Sequence, residues 1–159
     1  MVNRSDIETF WTRGDIHSRI HKAMSEAGLN DRKLEIEDLF PIDQYHARGI
    51  AATVDLGKRM PISENQNILD IGCGLGGPAR YFAKQFKCFI TGIDITPSFI
   101  EIGNKFNKLT SMSKQVSLQI GNGETLDFED ETFDGGYSQH VTMNIKNRKE
   151  FFLEAYRVL

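Results

Sequence analysis

The chain is poor in cysteine: of its 159 residues only Cys73 and Cys88 are of that type. Both lie in apolar or glycine-rich surroundings and lack the paired spacing of a metal site. Neither a disulfide framework nor a zinc module is expected, and that suits a reducing cytoplasm. Long apolar runs are missing too. No stretch approaches the ~18 residues of a membrane span, and the N-terminus has no apolar leader core. Basic clusters are absent: 19 Lys and Arg are scattered among 22 Asp and Glu, for a net charge of −3. Such a balance leaves no footprint for nucleic acid. There is no repeat and no low-complexity stretch. The expectation is a cytoplasmic domain that engages neither nucleic acid nor membrane, with no resident metal. At this length one domain with a real core is the default.

What is present changes character near residue 60. Before it the pattern is helical. Ser5 and Glu8 have the spacing of a capping box. A second helix is expected over about 15–27, closed by Gly28. The stretch "LEIEDLFPIDQYHARG" reads as a connector. Ala47, Ile50, Ala51 and Val54 recur at helical spacing, which predicts a third helix over about 46–59. "MPISENQ" reads as a turn.

After it, strands and helices alternate. Strands are expected over about 67–71 and 88–93, around Val116, Leu118 and Ile120, and over about 133–138. Helices are expected from Pro78, from Thr96-Pro97 as N-cap and first-turn proline, and from near Asn147. The last helix places Phe152, Ala155, Tyr156 and Leu159 on one face. Strand–helix alternation means a parallel sheet with right-handed crossovers, a doubly wound α/β fold.

The turn "ILDIGCGLGG", residues 68–77, carries the chemistry. Gly72, Gly74 and Gly77 satisfy G-x-G-x-x-G, which fits dinucleotides and other nucleosides alike. Asp94 follows Gly72 by 22 residues, the place for a carboxylate that accepts both ribose hydroxyls. Asp70 separates the candidates. A pyrophosphate over this turn would be repelled by a carboxylate. S-adenosylmethionine has no phosphate, and its sulfonium and ammonium both suit an acid here. The plainer alternative is that Asp70 caps the turn.

With "ILDIGCGLGGPARYFA", "GIDIT" and "FDGGYSQHVTMNI…FFLEAYRVL", the chain resembles the class I S-adenosylmethionine-dependent methyltransferases. More narrowly it is similar to the branch containing sarcosine/dimethylglycine and phosphoethanolamine N-methyltransferases, as is "DQYHARGIAATVDL". The resemblance covers roughly residues 38–159. It implies a Rossmann-like sheet in the order 3-2-1-4, a helical cap over residues 1–60, and a cofactor domain over 61–159 that stops before the usual strands 5–7. Asp70, Gly72 and Gly74 would cradle the methionine part of S-adenosyl-L-methionine. Asp94 would bind the ribose and Ile95 would pack on the adenine. Asn122 and Gly123 would meet the adenine edge, Tyr45 and His46 would form a lid, and Gln139 would face the methionine end. The implied reaction is methyl transfer to a small molecule, most simply an amine.

Several residues depart from that pattern. Asn122 stands where the family has Asp, which exchanges a charge-assisted bond for a neutral one. Gly135 and Gly136 weaken the fourth strand or admit a close neighbour. His140 is either a base or a packed histidine. Asn144 replaces the histidine of the phosphoethanolamine branch, and no catalytic residue is named. An open fourth strand is expected to drive homo-oligomer formation. The other readings are an inactive cofactor-binding fragment, an assembly completed by a partner, and a dinucleotide-binding oxidoreductase module.

Overall fold

The computed structural model describes residues 16–29 and 33–159. The expected capping box at Ser5 and Glu8 lies outside the described residues. The elements run in chain order as α1 (Ile16–Glu26), α2 (Ile36–Asp43), α3 (Ile50–Gly57), β1 (Asn67–Ile71), α4 (Gly77–Phe86), β2 (Phe89–Asp94), α5 (Pro97–Leu109), β3 (Val116–Ile120), β4 (Gly135–Tyr137) and α6 (Arg148–Val158). A single 3₁₀ turn, Thr142–Asn144, precedes α6.

The four strands are parallel in the order β3-β2-β1-β4. Strand alternation sends β1 side chains to both faces. Ile68 joins Ile90, Val116 and Leu118 beneath Phe82 and Ala83 of α4. Leu69 and Ile71 join Ile93 beneath Phe151 and Val158 of α6. Both faces are thus covered, as a parallel sheet requires. A third cluster joins Ile16 and Ile20 of α1 to Leu39 of α2 and Phe99 and Phe106 of α5, so α1 and α2 cap the end of the sheet beside α5.

Three elements differ from the sequence-based expectation. The connector reading of residues 34–49 is corrected: Ile36–Asp43 is a helix. Pro41 obscured it, because proline normally breaks a helix interior. This helix has only two turns, and its buried Ile36, Leu39 and Asp43 recur at helical spacing against the core. The third helix contracts to Ile50–Gly57, leaving 44–49 as a short strap between helices. On α6 the buried residues are Phe151 and Val158, whereas Phe152 and Tyr156 face outward. The apolar face inferred for that helix is therefore wrong by about one residue.

β4 has three residues. A Cβ on Gly135 would lie 3.3 Å from Ile68, and one on Gly136 would lie 3.3 Å from Leu159 and 3.4 Å from the Leu69 carbonyl. The glycines therefore shorten the strand and admit close neighbours at once.

Candidate functional site

The carboxyl ends of β1, β2 and β4 open into one cavity, the usual ligand position in an open α/β sheet. Tyr45, His46, Asp70, Gly72, Gly74, Asp94, Ile95, Asn122, Gly123 and Gln139 all line it. Residues separated by nearly a hundred positions in the chain thus meet around one cavity.

The glycine-rich turn is held from behind. Ile93 carbonyl accepts from the Gly72 and Cys73 amides at 2.8 and 2.9 Å. Gly72, Gly74 and Gly76 have φ of 85°, 54° and 76°, a region that only glycine enters cheaply. A Cβ on Gly72 would lie 2.3 Å from Val141, while one on Gly74 would meet nothing within 4 Å. Asp94 reaches into the same turn: Oδ2 accepts from the Gly74 amide and Oδ1 from the Thr96 amide, each at 2.9 Å. Its carboxylate retains acceptor capacity for a ligand.

Asp70 does not cap the turn. Its Oδ2 accepts from the Tyr137 hydroxyl at 2.8 Å, and the side chain is buried. β1 pairing places Asp70 opposite Gly92 on one side and Tyr137 on the other. Burial pushes its carboxyl up to about 7, the Tyr137 bond opposing the rise and the nearby Asp94 adding to it. Burial likewise raises Asp94, and its backbone hydrogen bonds pull the other way. The Cys73 thiol is driven well up by burial and by both aspartates, so it is no nucleophile at neutral pH.

The strap supplies the opposite wall. Thr53 is fully buried and bonds Gln44 Oε1 at 2.6 Å, with His46 Nε2 at 3.2 Å and Gln139 Oε1 at 3.4 Å. The His46 ring stacks on His140 at 5.3 Å and 11°. His140 has φ of 60°, and this left-handed turn puts its ring over the mouth. Burial lowers the His46 pKa, and His140 lowers it further. Tyr45 is half exposed, hydrogen-bonded to Arg19 at 3.1 Å and tilted against Phe99.

Asn122 Oδ1 accepts from the Glu124 amide at 3.0 Å, which shapes the turn at the cavity's far end. Gly123 is required there, since a Cβ would lie 2.8 Å from Ile71 and Phe151.

Several buried polar residues escaped the sequence reading, among them Asp43, Thr53, Arg80 and Tyr137. Asp43 lines the cavity and pairs with Arg80 at 3.0 Å. Burial raises the Asp43 carboxyl to about 6, with Arg80 opposing. The only visible signals were an arginine within the apolar pattern of α4 and a tyrosine on β4. The cavity lining holds three carboxylates, Asp43, Asp70 and Asp94, and no lysine or arginine.

A cleft at the glycine turn, lined by three aspartates and no lysine or arginine, on a parallel sheet in the order 3-2-1-4, is that of a class I methyltransferase fold. A family model described as "Methyltransferase domain" matches residues 69–159, and the chain belongs to that family. The sterol 24-C-methyltransferase of Debaryomyces hansenii is 34% identical over 104 residues, covering 65% of this chain and 28% of that one. Geranyl diphosphate methyltransferase in complex with S-adenosylmethionine has a TM-score of 0.65 at 23% identity, covering 69% of this chain and 44% of that one. A Galdieria sulphuraria protein assigned as a sarcosine dimethylglycine methyltransferase has a TM-score of 0.62 at 23% identity, covering 69% and 40%. These structural likenesses are of fold. The chain spans less than a third of the length of the curated relatives.

Proposed function

We propose that this chain binds S-adenosyl-L-methionine and serves methyl transfer to a small molecule, with an amine as the acceptor. The observation that carries the cofactor is the charge of the cavity: three aspartates beside the glycine turn and no lysine or arginine. A pyrophosphate is disfavoured beside these acids, whereas a sulfonium and an ammonium find counter-charge. When bound, the cofactor supplies an electrophilic methyl group.

The chain's own residues do the rest. Asp94 offers its free acceptor positions to ribose hydroxyls while anchoring the turn through Gly74. Asp70, poised near neutrality, ionises when a cation approaches, and Tyr137 holds it in place. Ile95 and Gly123 give apolar contact to the base, and Asn122 offers its amide to the base edge. Gln139 and His46, joined through Thr53, close the methionine end. Transfer then depends on alignment, so a dedicated base is optional.

The acceptor reading rests on the mouth. Gln44, Tyr45, His46, Ala47, His140, Met143 and Asn144 line it, with neither an acid nor a strong base. A neutral nucleophile with polar hydrogens suits such a wall. The branch resemblance at "DQYHARG" is the ground for proposing an amine. Calorimetry with S-adenosylhomocysteine, NAD and NADP tests the cofactor: heat from the first alone is expected, and heat from a dinucleotide alone would overturn the reading. Transfer of labelled methyl to sarcosine and dimethylglycine, with a sterol as the contrasting arm, tests the acceptor.

A further inference from the structure

Arg80 is an unusual resident of the core. It lies on α4, is wholly buried, and donates to three other parts of the molecule. Nη2 bonds Asp43 Oδ2 at 3.0 Å and the Leu75 carbonyl of the glycine turn. Nη1 bonds Asn107 Oδ1 at 2.7 Å and the Gly103 carbonyl at 3.2 Å, both on α5. The guanidinium also sits over the Phe106 ring. One side chain therefore ties α2, the turn and α5 together.

The pairing with Asp43 is half made. Arg80 Nε and Asp43 Oδ1 are both buried and have no hydrogen-bond partner among the described residues. They are the donor and acceptor that a side-on, two-bond arginine–carboxylate pair would join. Leaving both unsatisfied costs free energy, so the arrangement favours any small movement that unites them. The end of α2 already rests on α4, since a Cβ on Gly77 would lie 2.5 Å from the Asp43 carbonyl and 2.8 Å from Oδ1. The strap 44–49 begins at the next residue. Gln44 Nε2 is also buried without a hydrogen-bond partner among the described residues; it lies close enough to hold the Asp43 carboxyl down and is the competing donor.

We propose that Arg80 and Asp43 are positioning residues of the cofactor site, completing a second bond from Arg80 Nε–H to Asp43 Oδ1 when the cavity fills. The strap and the glycine turn then close as one unit, because a ligand touching both favours the closed pair. This rests on the cavity taking S-adenosylmethionine. Lysine could not replace Arg80, since a single ammonium offers no rigid fork.

The test uses the 159-residue chain, ¹⁵N-labelled, with S-adenosylhomocysteine as probe. Calorimetry establishes binding, and the Arg80 Nε–H resonance is followed in the same samples. A shifted Nε–H signal with slowed solvent exchange on binding is expected. Binding with an unchanged Arg80 Nε–H, or with change only at the Gln44 amide, would overturn the two-bond pair and leave the cofactor reading standing. Absence of any binding heat would overturn the cofactor reading and this proposal with it. Arg80→Lys and Asp43→Asn should each weaken binding about tenfold in folded protein. Wild-type affinity in either would also overturn the proposal, and the wild-type resonance decides the matter if a variant fails to fold.

Discussion

At the scale of residues, two carboxylates divide the work by their surroundings. Asp94 is fixed by the Gly74 and Thr96 amides and still faces the cavity. Asp94→Ala should weaken S-adenosylhomocysteine binding at least tenfold, since bonds to a charged group contribute about 1.5–3 kcal/mol. Calorimetry on the folded variant checks this. Asp70 predicts a pH dependence. Its carboxyl titrates at about 7 in the free protein. A cationic ligand group favours the ionised form, so binding must displace the proton below that pH. Affinity should rise as pH goes from 6 to 8 and level off above, with proton uptake by buffer detectable calorimetrically. Asp70→Asn should flatten the profile.

At the scale of elements, the strap between α2 and α3 links cofactor and acceptor walls. Its Gln44 and His46 converge on Thr53 of α3, and Gln139 after β4 reaches the same hydroxyl. Filling the cavity should therefore slow amide exchange across residues 43–49. Hydrogen exchange with and without S-adenosylhomocysteine measures it, and identical rates would remove the strap from the site. α6 is tied separately. Arg157 donates to the Leu126 and Phe128 carbonyls at 2.9 and 2.7 Å, while Glu154 accepts from the Leu126 amide at 2.7 Å. Phe151 reaches from the same helix to Gly123, so α6 fixes the turn assigned to the adenine edge.

At the scale of the molecule, burial of acids sets stability against pH. Asp43 and Asp70 are raised to about 6 and 7, and Asp94 is raised too. Between their ordinary values near 4 and those raised values the folded state holds more protons than the unfolded chain. Stability of the ligand-free protein should therefore fall as pH rises from about 4 to about 7. Glu154 acts in a lower window, since Arg157 pulls its carboxyl down to about 2. Thermal melts at pH 5 and pH 8 check the direction, with the lower melting temperature expected at pH 8. Among the described residues β4 pairs with β1 alone, and α6 exposes Phe152, Leu153 and Tyr156. Unpaired strand backbone and exposed apolar side chains each favour association. A dimer or larger species at micromolar concentration is the expected result in light scattering, and a monodisperse monomer would refute it.

Strand periodicity and the glycine turn are local properties, and the sequence by itself determined them. β1 is Asn67–Ile71 because its apolar run ends where Gly72 must turn. Asp94 was legible because a fixed strand–helix–strand length brings the end of β2 beside that turn. The sequence offered ten candidate residues, and the fold brings all ten to the lining of one cavity. Only tertiary structure decided what fixes those residues in place. Asp43 meets Arg80 across 37 positions, and Tyr137 meets Asp70 across 67. Neither pair has a sequence period, because each is created by strand order and by the docking of α2. Pro41 hid α2 for the same reason: contacts to distant residues hold that helix against its own local preference. Charge state belongs to the fold as well, for an aspartate is shifted toward neutrality only when chain from elsewhere removes its water.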